Sequence, residues 1–303
     1  MMVSDVLIVG GGPAGLSAAI YSARYGLDTM ILSMDLGGQL AMVSKLENYP
    51  GFLEISGPEL MRRLVEQVMR LGVRVAYGEA VKAEEIEEGF KILARGGGEY
   101  LCKALILACG KRPRKLGADG EDRLLGRGVS YCATCDAPLY RNRRTMIIGW
   151  GIPALEAAKI LRSHQNRVIV VHGSRVSEES RIYRELRSLG AEILENMLVD
   201  EIRGEKVVES VLLKDSETGE EREVAVDAVF IELGHILGTE WLKGFIELNQ
   251  RGEVVIDKLC RTSRRGVFAA GDVTDTPLKQ VAVAVGQGAL AANSAHSYLK
   301  HSR

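Results

Sequence analysis

Cys132 and Cys135, in the run Cys132-Ala133-Thr134-Cys135, have the spacing that most directly permits chemistry. Two intervening residues bring the sulfurs together across one turn of chain. At a helix start the backbone dipole lowers one thiol pKa, so the pair can cycle between disulfide and dithiol. Half of a zinc site and a pair of inert thiols are the competing uses of this spacing. Zinc needs two more soft ligands, and the chain has no second Cys-x-x-Cys and no paired His.

A second kind of chemistry is written in glycine. In Gly10-Gly11-Gly12-Pro13-Ala14-Gly15, Gly10 permits a tight turn, Gly12 lets a pyrophosphate approach the backbone, and Gly15 allows a helix to pack closely on a strand. The helix N-terminus then offers N–H groups and a positive dipole to phosphate. A purely structural turn is the alternative, and the flanking strand and helix patterns weigh against it. For the acid expected on the ribose, Ser33 stands near the end of the next strand and Asp35 lies two further on. Gly149-Trp150-Gly151-Ile152-Pro153-Ala154 repeats the grammar later in the chain.

The elements that must position these motifs follow from the apolar runs. Val6 to Val9 predicts a buried parallel strand, followed by a helix to about Tyr25 and a strand at Thr29 to Leu32. Thr145 to Ile148, a helix through Ile160 and Leu161, and Arg167 to Val171 predict the same unit again. Each half continues into a charge-rich alternating stretch, Glu79 to Cys102 and Val199 to Val226, that predicts a β-meander. An apolar strand and a glycine then close each half, at Gly110 and at Gly234, which makes an internal repeat of architecture. The tail has a strand at Val267 to Ala270 and a helix to Tyr298 but no third fingerprint, so it is expected to fold back onto the first domain. The predicted fold is α/β, with two Rossmann-like, three-layer ββα nucleotide-binding domains, the second inserted into the first. The expected boundaries are 1–113 with 240–303, and 114–239.

Composition limits the partners. A chain of 303 residues favours two domains with separate cores. Thirty-nine Lys and Arg against 40 Asp and Glu give a net charge of −1, so no summed field draws the molecule to nucleic acid or to an anionic membrane. No stretch has the unbroken apolar length of a membrane span, and Val6 to Ile20 suits a strand, turn and helix better than a secretion signal. Five scattered cysteines are too few for a disulfide framework, which fits a reducing cytoplasm with one special pair.

The run Gly128-Val129-Ser130-Tyr131-Cys132-Ala133-Thr134-Cys135-Asp136 resembles the redox site of low-molecular-weight thioredoxin reductases. So do Gly37-Gly38-Gln39-Leu40, Glu47-Asn48-Tyr49-Pro50-Gly51 and Gly266-Val267-Phe268-Ala269-Ala270-Gly271-Asp272-Val273, in family order. The resemblance implies FAD along Gly10, Gly12, Pro13, Ala14, Gly15, Gly38, Gln39, Asn48, Gly110, Gly271, Asp272, Gln280 and Val281. Asp272 would meet the ribitol, and the last helix would point its N-terminus at the flavin pyrimidine. It implies that Cys135 faces the flavin, that Cys132 attacks the disulfide of thioredoxin or a thioredoxin-like protein, and that Asp136 protonates the departing thiolate. A first-turn helix acid is the alternative role for Asp136. The family is homodimeric and its inserted domain rotates, for which two chain crossings suit a hinge.

The second fingerprint departs from the family. Trp150 stands where glycine is usual and Pro153 where a small polar residue is usual. Proline removes an N–H that could have met pyrophosphate, and indole adds bulk where the dinucleotide passes. The family has His followed by two arginines for a 2′-phosphate, whereas this chain reads His172-Gly173-Ser174-Arg175. Gly149, Gly151, Arg175 and Arg181 remain to hold NADPH or NADH, and a reduced deazaflavin or ferredoxin stands equally as electron donor. Cys109 replaces the usual threonine and reads as a small buried hydrophobe in preference to a third redox thiol, and Lys279 stands where arginine often does. A flavin-binding redox sensor without turnover is the reading from a different class.

Overall fold

The computed structural model describes residues 3–43 and 45–301. The chain forms two compact units, Met1–Arg112 with Ile236–Arg303, and Pro113–His235.

In the first unit, Val3–Gly11 sits centrally in a seven-stranded sheet, with Thr29–Leu36 on one edge and Glu99–Leu107 on the other, all parallel. Arg74–Tyr77 extends the sheet beyond Thr29–Leu36. Glu99–Leu107 has two partners along its far edge. Its first half pairs antiparallel with Gly89–Ala94, which pairs in turn with Ala80–Ile86, and its second half pairs parallel with Val267–Ala269. Alternate side chains of the central strands enter separate cores because a pleated strand points successive residues to opposite faces. Val6, Ile8, Ile31 and Ile106 join the helix-side core, and Leu7, Val9, Leu32 and Leu105 join the meander-side core with Phe90 and Ile92. Both faces are buried, which is why these strands read as continuous apolar runs.

The last helix, Val281–His301, lies against the helix Pro13–Arg24. At Gly288 an added Cβ would stand 2.1 Å from the carbonyl oxygen of Ala14, so only glycine permits this approach. Ser17 Oγ donates to the Val285 carbonyl at 2.7 Å and fixes the register of the two helices. The last helix is therefore locked against the first helix of the same unit.

The second unit repeats the layers. Its five-stranded parallel sheet runs Glu192–Leu194, Arg167–Val171, Arg144–Gly149, Ala228–Glu232, Val129–Ser130. The helices Gly151–Ser163 and Arg181–Ser188 cover one face through Leu155, Ala158, Leu161 and Leu186. The antiparallel meander Met197–Arg203, Ser210–Asp215, Glu221–Ala225 covers the other through Ile202, Val211, Leu213 and Val224. Among the described residues no helix is long and apolar enough to cross a membrane.

Candidate active site

The first fingerprint turns where the sheet ends. Gly10 has φ +114°, and a Cβ there would lie 2.2 Å from the Ala108 carbonyl oxygen. At Gly15 a Cβ would lie 1.9 Å from the Gly10 carbonyl oxygen, so helix and strand touch backbone to backbone. Gly12, the N-cap of Pro13–Arg24, has nothing within 4 Å of the same imagined atom. The turn is thus closed below and open at Gly12. Pro13 occupies the first helical positions, where its missing N–H costs no helical bond. No side chain caps this helix and no acid lies in its first turn. A pyrophosphate fits that cradle by charge and by space.

Neighbouring loops pack around it. Ser33 Oγ accepts from Gly11 N–H at 2.9 Å, and Asp35 Oδ1 accepts from Gly38 N–H at 2.9 Å. Both candidates for the ribose acid therefore pin this corner, and the exposed Asp35 retains Oδ2 for a ligand hydroxyl. Gly38 approaches Gly12 to 3.6 Å from an added Cβ, and Gln39 Nε2 donates to the Lys111 carbonyl at 2.6 Å, beside Gly110. Asn48 Nδ2 donates to Gln280 Oε1 at 3.0 Å, next to Val281 at the start of the last helix. Gly271 packs on Ala14 and donates its N–H to Gln287 Oε1 at 2.9 Å. Asp272 follows, its carboxyl pushed above the ordinary range by burial while Lys111 and Lys279 oppose the shift. Lys279 Nζ pairs with Glu253 at 3.0 Å and bonds the Asp272 and Thr274 carbonyls, so a lysine ties down the loop that carries Asp272.

In the second unit Cys132 and Cys135 form a disulfide. Cys132 is the N-cap of the one-turn helix Ala133–Asp136, and both Cys135 N–H and Asp136 N–H return to the Cys132 carbonyl at 3.1 Å. Ala133 and Ala137 are buried in the helix-side core and fasten the turn beneath its reactive edge. Both sulfurs remain in partly exposed residues. Asp136 Oδ2 accepts from Ser130 Oγ at 2.6 Å; burial raises its pKa and the serine hydroxyl opposes that rise. Tyr131, preceding the pair, donates to Glu121, which also accepts from Leu116 N–H at 2.9 Å and Gly117 N–H at 2.7 Å.

The other thiols are set apart by burial. It pushes Cys102 up to about 12 and Cys109 and Cys260 up to about 11, so none is a ready thiolate near neutrality.

The second fingerprint is shaped differently. Gly149 is still required, since a Cβ there would meet the Glu232 carbonyl oxygen at 2.4 Å, and Gly151 has φ +82°. Trp150 is the N-cap of Gly151–Ser163, and its ring meets that of His172 edge to face. Pro153 is the third helical residue, where an N–H would otherwise point outward. Arg181 is held by Glu185 at 2.5 Å, whereas Arg175 is exposed.

An open dinucleotide cradle in one unit and a Cys-x-x-Cys disulfide in the other define a flavin-linked dithiol–disulfide oxidoreductase. The chain belongs to the pyridine nucleotide-disulphide oxidoreductase family, whose profile matches residues 4–288, and FAD is the cofactor of that family. It is 41% identical over 299 residues to a thioredoxin reductase of Treponema pallidum (strain Nichols), covering 97% of each chain. It is 39% identical to an alkyl hydroperoxide reductase component of Pseudomonas putida, covering 97% of this chain and spanning 58% of that longer protein. The crystal structure of thioredoxin reductase from Streptococcus pyogenes MGAS5005 superposes with a TM-score of 0.93 at 34% identity, covering 99% of each chain.

Several residues of these sites escape sequence reasoning. Gln287 lies 16 residues from the glycine it serves, and Glu121 lies 10 residues before its tyrosine. A glycine inside an otherwise regular helix was the available signal for Gly288.

Proposed function

We propose that this protein is a thioredoxin-disulfide reductase whose working couple is Cys132/Cys135. The observation that carries the reading is the Cys132–Cys135 disulfide with Asp136 on the same turn. FAD, when bound, would supply that disulfide with two electrons taken from the donor. The residues suited to holding it are Gly10, Gly12, Pro13, Ala14, Gly15, Gly38, Gln39, Asn48, Gly110, Gly271, Asp272, Gln280 and Val281, within the expected domain 1–113 with 240–303. The redox pair belongs to the inserted domain, 114–239.

Once reduced, the thiolate of Cys132 attacks the partner's disulfide and forms a mixed disulfide. The departing partner sulfur leaves with the electron pair and takes a proton from Asp136, whose burial favours the protonated carboxyl. Cys135 then attacks Cys132 Sγ, restoring the internal disulfide and releasing the partner as a dithiol. Cys135 is assigned the flavin-facing position and Cys132 the partner-facing one. A cytoplasmic homodimer completes the reading.

Two donor readings rest on different observations. Gly149, Gly151 and the exposed Arg175 and Arg181 support NADPH. The Trp150–His172 contact at the turn and Pro153 in the first turn of the helix, where an open cradle would offer glycine and a free N–H, favour a reduced deazaflavin or ferredoxin. Reduction of insulin disulfides through a thioredoxin, driven by each donor in turn under argon, tests both levels. Turnover with any donor is expected. Stable FAD binding with no turnover by any of them would replace the enzyme by a redox sensor.

A further inference from the structure

Ser130 ends the strand Val129–Ser130 and is 3% exposed. Its hydroxyl has one proton, and the shortest acceptor is Asp136 Oδ2 at 2.6 Å; the Cys132 carbonyl at 3.4 Å is the weaker alternative. The same oxygen accepts from Cys132 N–H at 3.0 Å. The result is a chain of two hydrogen bonds from the backbone of Cys132 through a serine hydroxyl to the carboxyl of Asp136. Each bond polarises the other through the buried Ser130 hydroxyl.

We propose that Ser130 is a positioning residue for proton transfer. By occupying Oδ2 of Asp136 it leaves Oδ1 as the oxygen that carries and delivers the proton, and by accepting Cys132 N–H it ties that carboxyl to the backbone of the attacking cysteine. Cys132 Sγ bonds one partner sulfur, the partner S–S bond breaks, and the proton on Oδ1 passes to the leaving sulfur, with the electron pair remaining there. This inference rests on the general-acid reading of Asp136.

Few charged groups compete for the carboxyl. Tyr140, on the turn Ala137–Tyr140, senses the Asp136 charge, and the two thiols face it after reduction. The helix Gly151–Ser163 meets the turn with Ala154 and Leu155, while its Glu156 and Lys159 pair with each other. The strand Arg144–Gly149 brings Ile147 to the same core, and among the described residues no cation acts on Asp136. Loss of the serine hydroxyl removes a bond that favours the carboxylate, so the acid would titrate at higher pH.

The test is a single turnover that needs no physiological donor. FAD-loaded protein is reduced with dithionite under argon and mixed with an oxidised bacterial thioredoxin, and loss of the thioredoxin disulfide is followed by thiol alkylation between about pH 5.5 and 9.5. In the wild type deprotonation of Asp136 contributes a limb that falls with rising pH, set against the growing thiolate fraction of Cys132. Ser130→Ala is expected to lower the plateau about tenfold and to move the falling limb to higher pH, and Ser130→Thr is expected to restore both. If alanine does not fold, Ser130→Val against Ser130→Thr makes the same comparison at matched volume. An unchanged plateau and limb in Ser130→Ala, with the limb absent in Asp136→Asn, overturns the role of Ser130 alone. A wild-type profile in Asp136→Asn overturns the general acid, and the positioning role falls with it.

Discussion

The indole of Trp150 meets the imidazole of His172 edge to face, with ring centroids 5.5 Å apart and planes at 79°. His172 is held in turn by the backbone of Ser174, whose N–H lies 3.0 Å from Nδ1. Two aromatic rings therefore meet at the turn of the second fingerprint, where Trp150 is the helix N-cap. Reduction by micromolar NADPH is expected to be slow, and Trp150→Gly is expected to accelerate it about tenfold. Anaerobic stopped-flow at the flavin band measures both. Rapid bleaching of the wild type by NADPH would return the donor to the pyridine nucleotides.

The two cysteines are expected to separate by phenotype. Cys135→Ser should retain FAD and lose thioredoxin reduction by about a thousandfold or more, since no single serine can close the internal disulfide. Cys132→Ser should lose transfer to protein as completely but show altered long-wavelength absorbance, from a thiolate left beside the flavin. Identical spectra in the two variants would reverse or void the assigned order.

Two glycines of one helix should respond to alanine in opposite directions. Gly288→Ala drives a methyl into the Ala14 carbonyl and is expected to destabilise by about 3 kcal/mol and loosen FAD, because it pushes the last helix off the cradle helix. Gly286, with nothing within 4 Å, should gain about 1 kcal/mol as alanine through helix propensity. Thermal unfolding of the holoprotein separates them, and equal shifts would contradict the packing described for Gly288.

Glu121 is 3% exposed and accepts three hydrogen bonds. Glu121→Ala leaves two backbone N–H groups and a phenol unpaired and should cost about 3 kcal/mol. Tyr131→Phe removes only one donor and should cost about 1 kcal/mol. FAD content is expected to stay intact in both, because the affected bonds lie in the other unit. Chemical denaturation of Tyr131→Phe and Glu121→Ala, followed beside flavin absorbance, checks this ordering.

What could be read from the chain in advance was periodic or local. The apolar runs at Val6 to Val9 and Thr145 to Ile148 foretold central strands because both their faces are buried, and the Gly-x-Gly-x-x-Gly turn foretold its own backbone contacts. The Cys132/Cys135 spacing foretold a disulfide that one turn of chain can close. Relations over distance were silent. Nothing in a serine at position 130 says that its hydroxyl joins Asp136 to Cys132, since that depends on the turn geometry at Tyr131. Ser33 and Asp35 were visible as candidates for the ribose, but their bonds to Gly11 and Gly38 arise only when the loop has folded over the helix start. Glu99–Leu107 likewise reads as one strand and does not announce two partners on one edge.

That divided edge sets an order for biosynthesis. The stretch Leu105–Leu107 waits for Val267–Ala269, which the ribosome makes some 160 residues later, and the whole of Pro113–His235 emerges in the interval. The inserted unit holds its full complement of strands before its host can finish its own sheet. Nascent chains stalled ahead of residue 267 should therefore carry a folded redox module and yet be unable to retain flavin, so that loading of the prosthetic group is a late event in the birth of the protein.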